Sequence, residues 1–211
     1  STGVTPKGIV ANNLNVREFE FATAGKYTVQ LRGYNVIDSV NSENTVIKAN
    51  YIIIVDHCRP VISVTTSTDV GISAVKLNEA STGDVFINNA SETGVDYENF
   101  TEEVVDLNFG GTYGFEISRS SNINPMNRKI WIDWNVDGDF DDAGEEVASE
   151  ATGTTLTWGG TFTVPDAANA FEANTTMRIG VSYGTDANNA CGPNRIGEFE
   201  DYGIRVVNDG D

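Results

Sequence analysis

Asp133, Asn135, Asp137, Asp139 and Asp141 place an oxygen-bearing side chain at every second position, with Gly138 among them. A hard cation such as calcium takes about six to eight oxygens, and a short loop supplies them when oxygen side chains recur in this way around a sharp turn. Asp133, Asn135, Asp137 and Asp139 are the leading ligands, and Asp141, Asp142 and Glu145 compete for the remaining places. An EF-hand counted from Asp133 would need a bidentate acid at its twelfth position, which is Gly144, with Glu145 one step later. The loop is therefore not an EF-hand, and it leaves a strand rather than a helix. The plain alternative is an exposed acidic hairpin tip, solvated and without an ion.

Catalytic constellations are scarce. The chain has 1 histidine, His57, so histidine triads and multi-histidine zinc sites need it or do not exist. Paired carboxylates abound, yet they cluster where a cation accounts for them, and the expectation is a protein that is not an enzyme, with no catalytic residue. For ligand recognition, sugar faces stack on aromatic rings while planar polar groups fix hydroxyls. Trp158, between a strand and Gly159-Gly160, is the best aromatic candidate. Tyr183 and Arg195 flank a second polar loop, and Arg119, Arg128 and Lys129 offer positive charge to an anionic glycan. Trp131 and Trp134 face opposite sides of one strand, so at most one is expected in the core. Each of these residues also has an ordinary structural reading, as an edge plug or a surface charge.

The 211 residues carry 13 basic and 31 acidic side chains, a formal net charge of −18. Such a surface repels phosphate backbones and anionic lipid, which argues against nucleic-acid partners and favours a monomer. No run of residues is long enough and apolar enough for a membrane helix, so no membrane insertion is expected. Cys58 and Cys191 invite a disulfide, which would place the protein outside the cytoplasm; two buried thiols are the alternative. No signal peptide is visible at Ser1, as expected of a mature or excised segment.

The elements that must position these groups are strands. Tyr27, Val29 and Leu31 alternate with polar neighbours, residues 35–44 read as a polar turn, and residues 45–55 enter an apolar stretch expected to be buried on both faces. Pro60 and a change of composition mark a boundary near residue 57. Beyond it, short strands are predicted at 61–64, 72–77, 104–109, 113–117, 129–134, 161–164, 177–183 and 202–207, with a turn or two of helix at 166–174. The fold class is all-β: an antiparallel β-sandwich, jelly-roll or immunoglobulin-like, over 57–211, preceded by a partial immunoglobulin-like β unit over 1–56.

Two resemblances add context. Phe21 through Leu31, followed by Asn50 through Val55, is similar to the C-terminal half of a PKD domain, an immunoglobulin-like spacer of secreted bacterial proteins. Cys58, the segment from Trp131 to Glu145, Met177-Arg178-Ile179 and Cys191-Gly192, with Gly197-Glu198-Phe199-Glu200-Asp201, together resemble a GEVED domain over about 58–207. The resemblance implies a secreted, extracellular or cell-surface protein of Bacteroidetes type, with neighbouring domains that degrade polysaccharide or protein. If Cys191 is tied to Cys58, the acidic turn is held in place. Glu198 and Asp201 then either complete the calcium shell, or Glu200 and Asp201 pair with Arg178 or Arg205. The expected function is a calcium-stabilised, non-catalytic carbohydrate-binding or adhesion module of a secreted polysaccharide-degrading enzyme, with a polysaccharide, marine or sulfated, as partner. A structural spacer, or an accessory substrate-binding domain of a secreted peptidase, is the alternative.

Overall fold

The computed structural model describes residues 24–37, 40–64, 70–91, 94–167, 170, 172–184 and 186–208, with backbone alone at 31–37, 40–45 and 48–54. The chain divides into two compact units, Ser1–Asp56 and His57–Asp211. In the first, β1 (Gly25–Ile37) and β2 (Val40–Ile54) form an antiparallel pair that runs from Gly25 opposite Ile54 to Ile37 opposite Val40. Most of the segment expected as a turn, 35–44, is therefore paired strand, because ladder hydrogen bonds join backbones and tolerate polar side chains on a ribbon. Phe21, Ala22 and Thr23, and the burial of Tyr51 through Ile54, lie outside the described residues.

The second unit contains β3 (Val61–Ile62), β4 (Ile72–Glu79), β5 (Val85–Asn89), β6 (Tyr97–Asn108), β7 (Thr112–Arg119), β8 (Met126–Ile132), β9 (Glu146–Gly153), β10 (Thr157–Thr163), β11 (Asn174–Tyr183), β12 (Pro193–Asn194) and β13 (Gly197–Val207). A four-stranded sheet, β10-β7-β4-β5, faces a five-stranded sheet, β6-β13-β11-β8-β9. The all-β sandwich reading holds. Its pairing is mixed, since β6 runs parallel to β13 and β12 parallel to β3. Edge strands β5 and β9 escaped the sequence reading because each has one neighbour and a largely exposed face, which erases the apolar alternation. Among the described residues of 166–174 there is no helix, only a single turn closed by Ala170 N donating to Asp166 O at 3.1 Å.

The main core lies between the sheets. Val75, Leu77, Phe115, Ile117 and Phe162 from one side meet Ile130, Ile132, Met177, Ile179 and Ile204 from the other. In β7 the alternation is regular, with Tyr113, Phe115 and Ile117 inward while Thr112 and Glu116 are exposed. Strand β11 instead is buried at nearly every position. Its outer face is also covered, by a second cluster in which Trp131, Phe140, Ala190 and Phe199 pack with Cys58, Ile62, Tyr97 and Cys191. A central strand with both faces covered shows no period-two polarity.

This outer layer corrects one expectation. Trp131 and Trp134 are both buried, at 4% and 3% exposure, one in the outer cluster and one in the main core. They do face opposite ways, but both faces of the sheet are covered. The outer layer is fixed by the Cys58–Cys191 disulfide, and no free cysteine remains. Such a bond fits an oxidising, extracellular setting.

Candidate metal loop and its surroundings

Loop 133–145 follows β8 directly, and its alternate residues divide by role. Trp134, Val136 and Phe140 are buried, while Asp137, Asp141 and Asp142 are exposed. The apolar positions anchor the loop from below and leave Asp137, Asp139 and Asp142 along its rim, while Asp133 and Glu145 are buried at its ends. Phe140 is held between His57, stacked at 5.6 Å, and the Arg178 guanidinium 4.8 Å from its ring centre. Val136 sits at φ 55°, Gly138 at 101° and Gly144 at 96°. Glycine tolerates this region, whereas a β-branched residue there is strained and must be held by its surroundings.

Asp133 does that holding. It is fully buried, and its Oδ1 accepts from the amide of Asp137 (3.2 Å) while Oδ2 accepts from Gly138 (3.0 Å) and lies 2.9 Å from His57 Nε2. Glu145 closes the other end: Oε1 accepts from Trp134 N at 3.0 Å and Oε2 from Asp142 N at 3.3 Å. Burial first, then the charge of Asp133, pushes Glu145 up to about 7, against the pull of those two amides. The carboxylates of Asp137, Asp139 and Asp142 converge, each bringing an oxygen within 4.8 Å of the others. Asn135 Nδ2 donates to Asp137 Oδ2 and Asp142 Oδ2, so its amide bridges two of the acids. Asp141 is exposed and is not one of the three converging acids; its amide donates to Asp139 Oδ1 at 3.0 Å.

The late acids divide between two faces of β13. Asp201 is committed to Arg178, which donates from Nε to Oδ1 and from Nη2 to Oδ2, both at 2.7 Å. The same guanidinium donates from Nη1 to the carbonyls of Cys58 (2.7 Å) and Ala190 (2.8 Å). Tyr97 donates its hydroxyl to Asp201 Oδ2 at 2.7 Å, and burial, with the Asp201 charge, pushes that phenol up to about 12. Glu198 and Glu200 point to the opposite face, because side chains alternate along a strand. Asp201 and Glu198 therefore cannot together complete the shell of loop 133–145, and the pairing of Asp201 with Arg178 is the arrangement present. Arg205 pairs instead with Asp106 on the surface.

The residues proposed from sequence for glycan binding do not converge. Arg128 is fully buried, donating from Nε to Glu150 Oε2 at 2.7 Å and from Nη2 to Thr155 Oγ1 at 2.8 Å. Its charge is consumed inside the fold, since a buried guanidinium requires a partner. Arg119 is also buried, bonded to the carbonyls of Thr155 and Asn124. Trp158 is half-buried, edge-on to Phe115 at 4.7 Å, with Arg128 5.8 Å from its ring centre. Tyr183 is half-buried, and exposed Arg195 reaches Asp186 at 3.5 Å. Lys129 lies on the outer face, paired with Glu146 at 2.8 Å and 5.7 Å from the Trp131 ring centre.

Lys129 borders an open cleft of about 560 Å³ beside the loop, with Asp141, Asp142, Glu146, Asn188 and Asn189 on its walls. Asn188 and Asn189 open the polar loop, Asn188 to Arg195, that the sequence marks as ligand-like, and they bring its planar amides to this cleft.

Residues 127–205 match the family model of the GEVED domain. The match is narrower than the 58–207 suggested by the motifs, running from β8 into β13 and including the loop, Cys191 and the acids of β13. No curated protein matches the chain.

Proposed function

We propose that this chain is a non-catalytic, calcium-stabilised binding module of a secreted protein, holding carbohydrate in the cleft beside loop 133–145. The convergence of Asp137, Asp139 and Asp142, the last of them on the wall of that cleft, supports this reading. Carboxylate oxygens crowded together repel one another, and a divalent cation removes the repulsion. Turning the Asn135 amide over would present its oxygen where its NH2 now bridges Asp137 and Asp142. Calcium there would fix the rim, and the amides and carboxylates of the cleft would bind sugar hydroxyls. Residues 1–56, with their PKD-like sequence, would serve as a spacer to a polysaccharide-degrading partner domain.

The burial of Trp131 and Phe140, each 4% exposed, favours a second reading in which the module is a calcium-rigidified spacer, because the cleft then lacks an aromatic platform. Calorimetric titration of chelator-stripped protein tests the ion: calcium binding with a rise in Tm is expected, and the absence of both refutes it. Affinity electrophoresis against neutral and sulfated polysaccharides tests the ligand. Retardation that is lost on chelation or in Lys129→Ala supports the binding module. Migration unchanged by every glycan leaves the spacer.

A further inference from the structure

The inner face of β13 carries a cluster that neither the loop nor the cleft beside it uses. Glu198 and Glu200, two apart on the strand, share that face, and the parallel register sets Glu98 of β6 opposite Glu200. One carboxylate oxygen from each of the three lies within 4.8 Å of the others. Glu198 and Glu200 are both 0% exposed. Neither oxygen of Glu198 has a hydrogen-bond partner, and Oε1 of Glu200 has none. Oε2 of Glu200 accepts from the Tyr202 hydroxyl at 2.6 Å.

Buried carboxylates this close need a positive counterpart or retained protons. The buried guanidinium of β11, Arg178, faces the other way and is spent on Asp201. Burial, then the charges of Glu200 and Glu98, pushes Glu198 up to about 9, and the nearby amides of Ile72 and Gly94 offset only part of the rise. Burial also pushes Glu200 up to about 7, eased by the Ser91 and Tyr202 hydroxyls. Three carboxylates thus meet here with the Ser91 and Tyr202 hydroxyls beside them, an oxygen set of the kind a hard cation takes, while the Ile72 and Gly94 amides approach Glu198 from the backbone.

We propose a second divalent-cation site, separate from loop 133–145, in which Glu98, Glu198 and Glu200 bind calcium between β6 and β13. The unpartnered oxygens of Glu198 supply its innermost ligand, Glu200 the second, and half-buried Glu98 the third. A cleft of about 330 Å³ lies beyond Tyr202, with Asn89, Phe100, Glu102 and Glu103 among the residues on its walls. Asn89 donates to the Tyr202 hydroxyl at 3.0 Å, so the hydrogen bonds run from the cleft wall to Glu200. Glu102 and Glu103 would raise the local concentration of cations in that cleft.

Equilibrium dialysis of the stripped full chain against radioactive calcium at neutral pH counts the ions. The background is Asp137→Asn/Asp139→Asn, which disables the loop and leaves this cluster intact. Retention of one ion per chain is expected there, with loss of that ion on adding Glu198→Gln/Glu200→Gln. A count of zero in the loop-disabled background means that the carboxyls keep protons instead, and overturns the proposal. So does an ion that stays bound when Glu198 and Glu200 are replaced. Should that pair of substitutions prevent folding, Glu98→Gln decides, since its side chain is only half-buried: affinity should fall by about tenfold or more, and unchanged affinity overturns the site. Failure of the loop reading has a different signature, a wild-type count that Asp137→Asn/Asp139→Asn does not lower.

Discussion

Replacing Asp201 by alanine should be among the most damaging single changes outside the apolar core. Asp201 is 3% exposed, and its carboxylate accepts from Nε and Nη2 of Arg178, itself 0% exposed, and from the Tyr97 hydroxyl. Removing it leaves a guanidinium in a low-dielectric layer beneath Phe140, still bonded to the Cys58 and Ala190 carbonyls but without its counter-charge. Breaking a buried pair from one side costs about 3–5 kcal/mol, because the surviving charge can neither reach water nor neutralise itself. For a unit of this size each kcal/mol moves Tm by roughly 2–4 °C, so Asp201→Ala should lower Tm by about 6–20 °C. Arg178→Met should cost at least as much, since it strands Asp201 and two carbonyls together. The double variant should cost clearly less than the sum, a coupling that calorimetry or urea unfolding would measure as a double-mutant cycle. If Asp201→Ala loses less than about 1 kcal/mol, or the two changes simply add, the pair is not the joint between β11, β13 and the disulfide layer described above.

Other expectations follow from separate features. Cys58→Ala/Cys191→Ala releases a closure spanning a sequence separation of 133 residues, and chain entropy puts the loss at roughly 5 kcal/mol, read as a lowered urea midpoint. Gly197→Ala should cost about 1–3 kcal/mol by thermal unfolding, because its new Cβ would meet the Val181 carbonyl oxygen at 2.6 Å. In chelator, stability should fall as pH rises from about 5 to about 8. Glu145, Glu198 and Glu200 have folded pKa values of about 7, 9 and 7 against an ordinary 4.5, so in that window the folded state holds more protons than the unfolded one. The slope is up to about 1.4 kcal/mol per pH unit for each group fully ionised on unfolding, and denaturation at the two pH values checks it. Excess calcium should flatten that slope, and a stability that rises with pH in chelator would contradict the burial of these acids.

The strand-rich sandwich and the oxygen loop were legible in the residues because both rest on local periodicity. Alternation at Tyr113, Phe115 and Ile117 identifies a half-buried strand in any context, and oxygens at 133, 135, 137 and 139 recur whatever surrounds them. The pairing of Cys58 with Cys191 was legible too, since a chain with 2 cysteines offers one intramolecular connection. Tertiary structure decided which face each charge occupies. Whether Asp201 meets a cation or Arg178, and whether Glu198 looks toward the loop or toward Glu98, depends on β6 lying parallel beside β13 and on the outer layer covering Trp131. Those are pairings between residues about a hundred positions apart, and no local pattern encodes them. Arg128 shows the same limit: its sequence neighbours read as surface, and only the opposing Glu150 on β9, with the second sheet above it, makes it a buried ion. The sequence determines which oxygens exist and how they are spaced; the packing of two sheets and a disulfide-bound cover determines which of them are brought face to face.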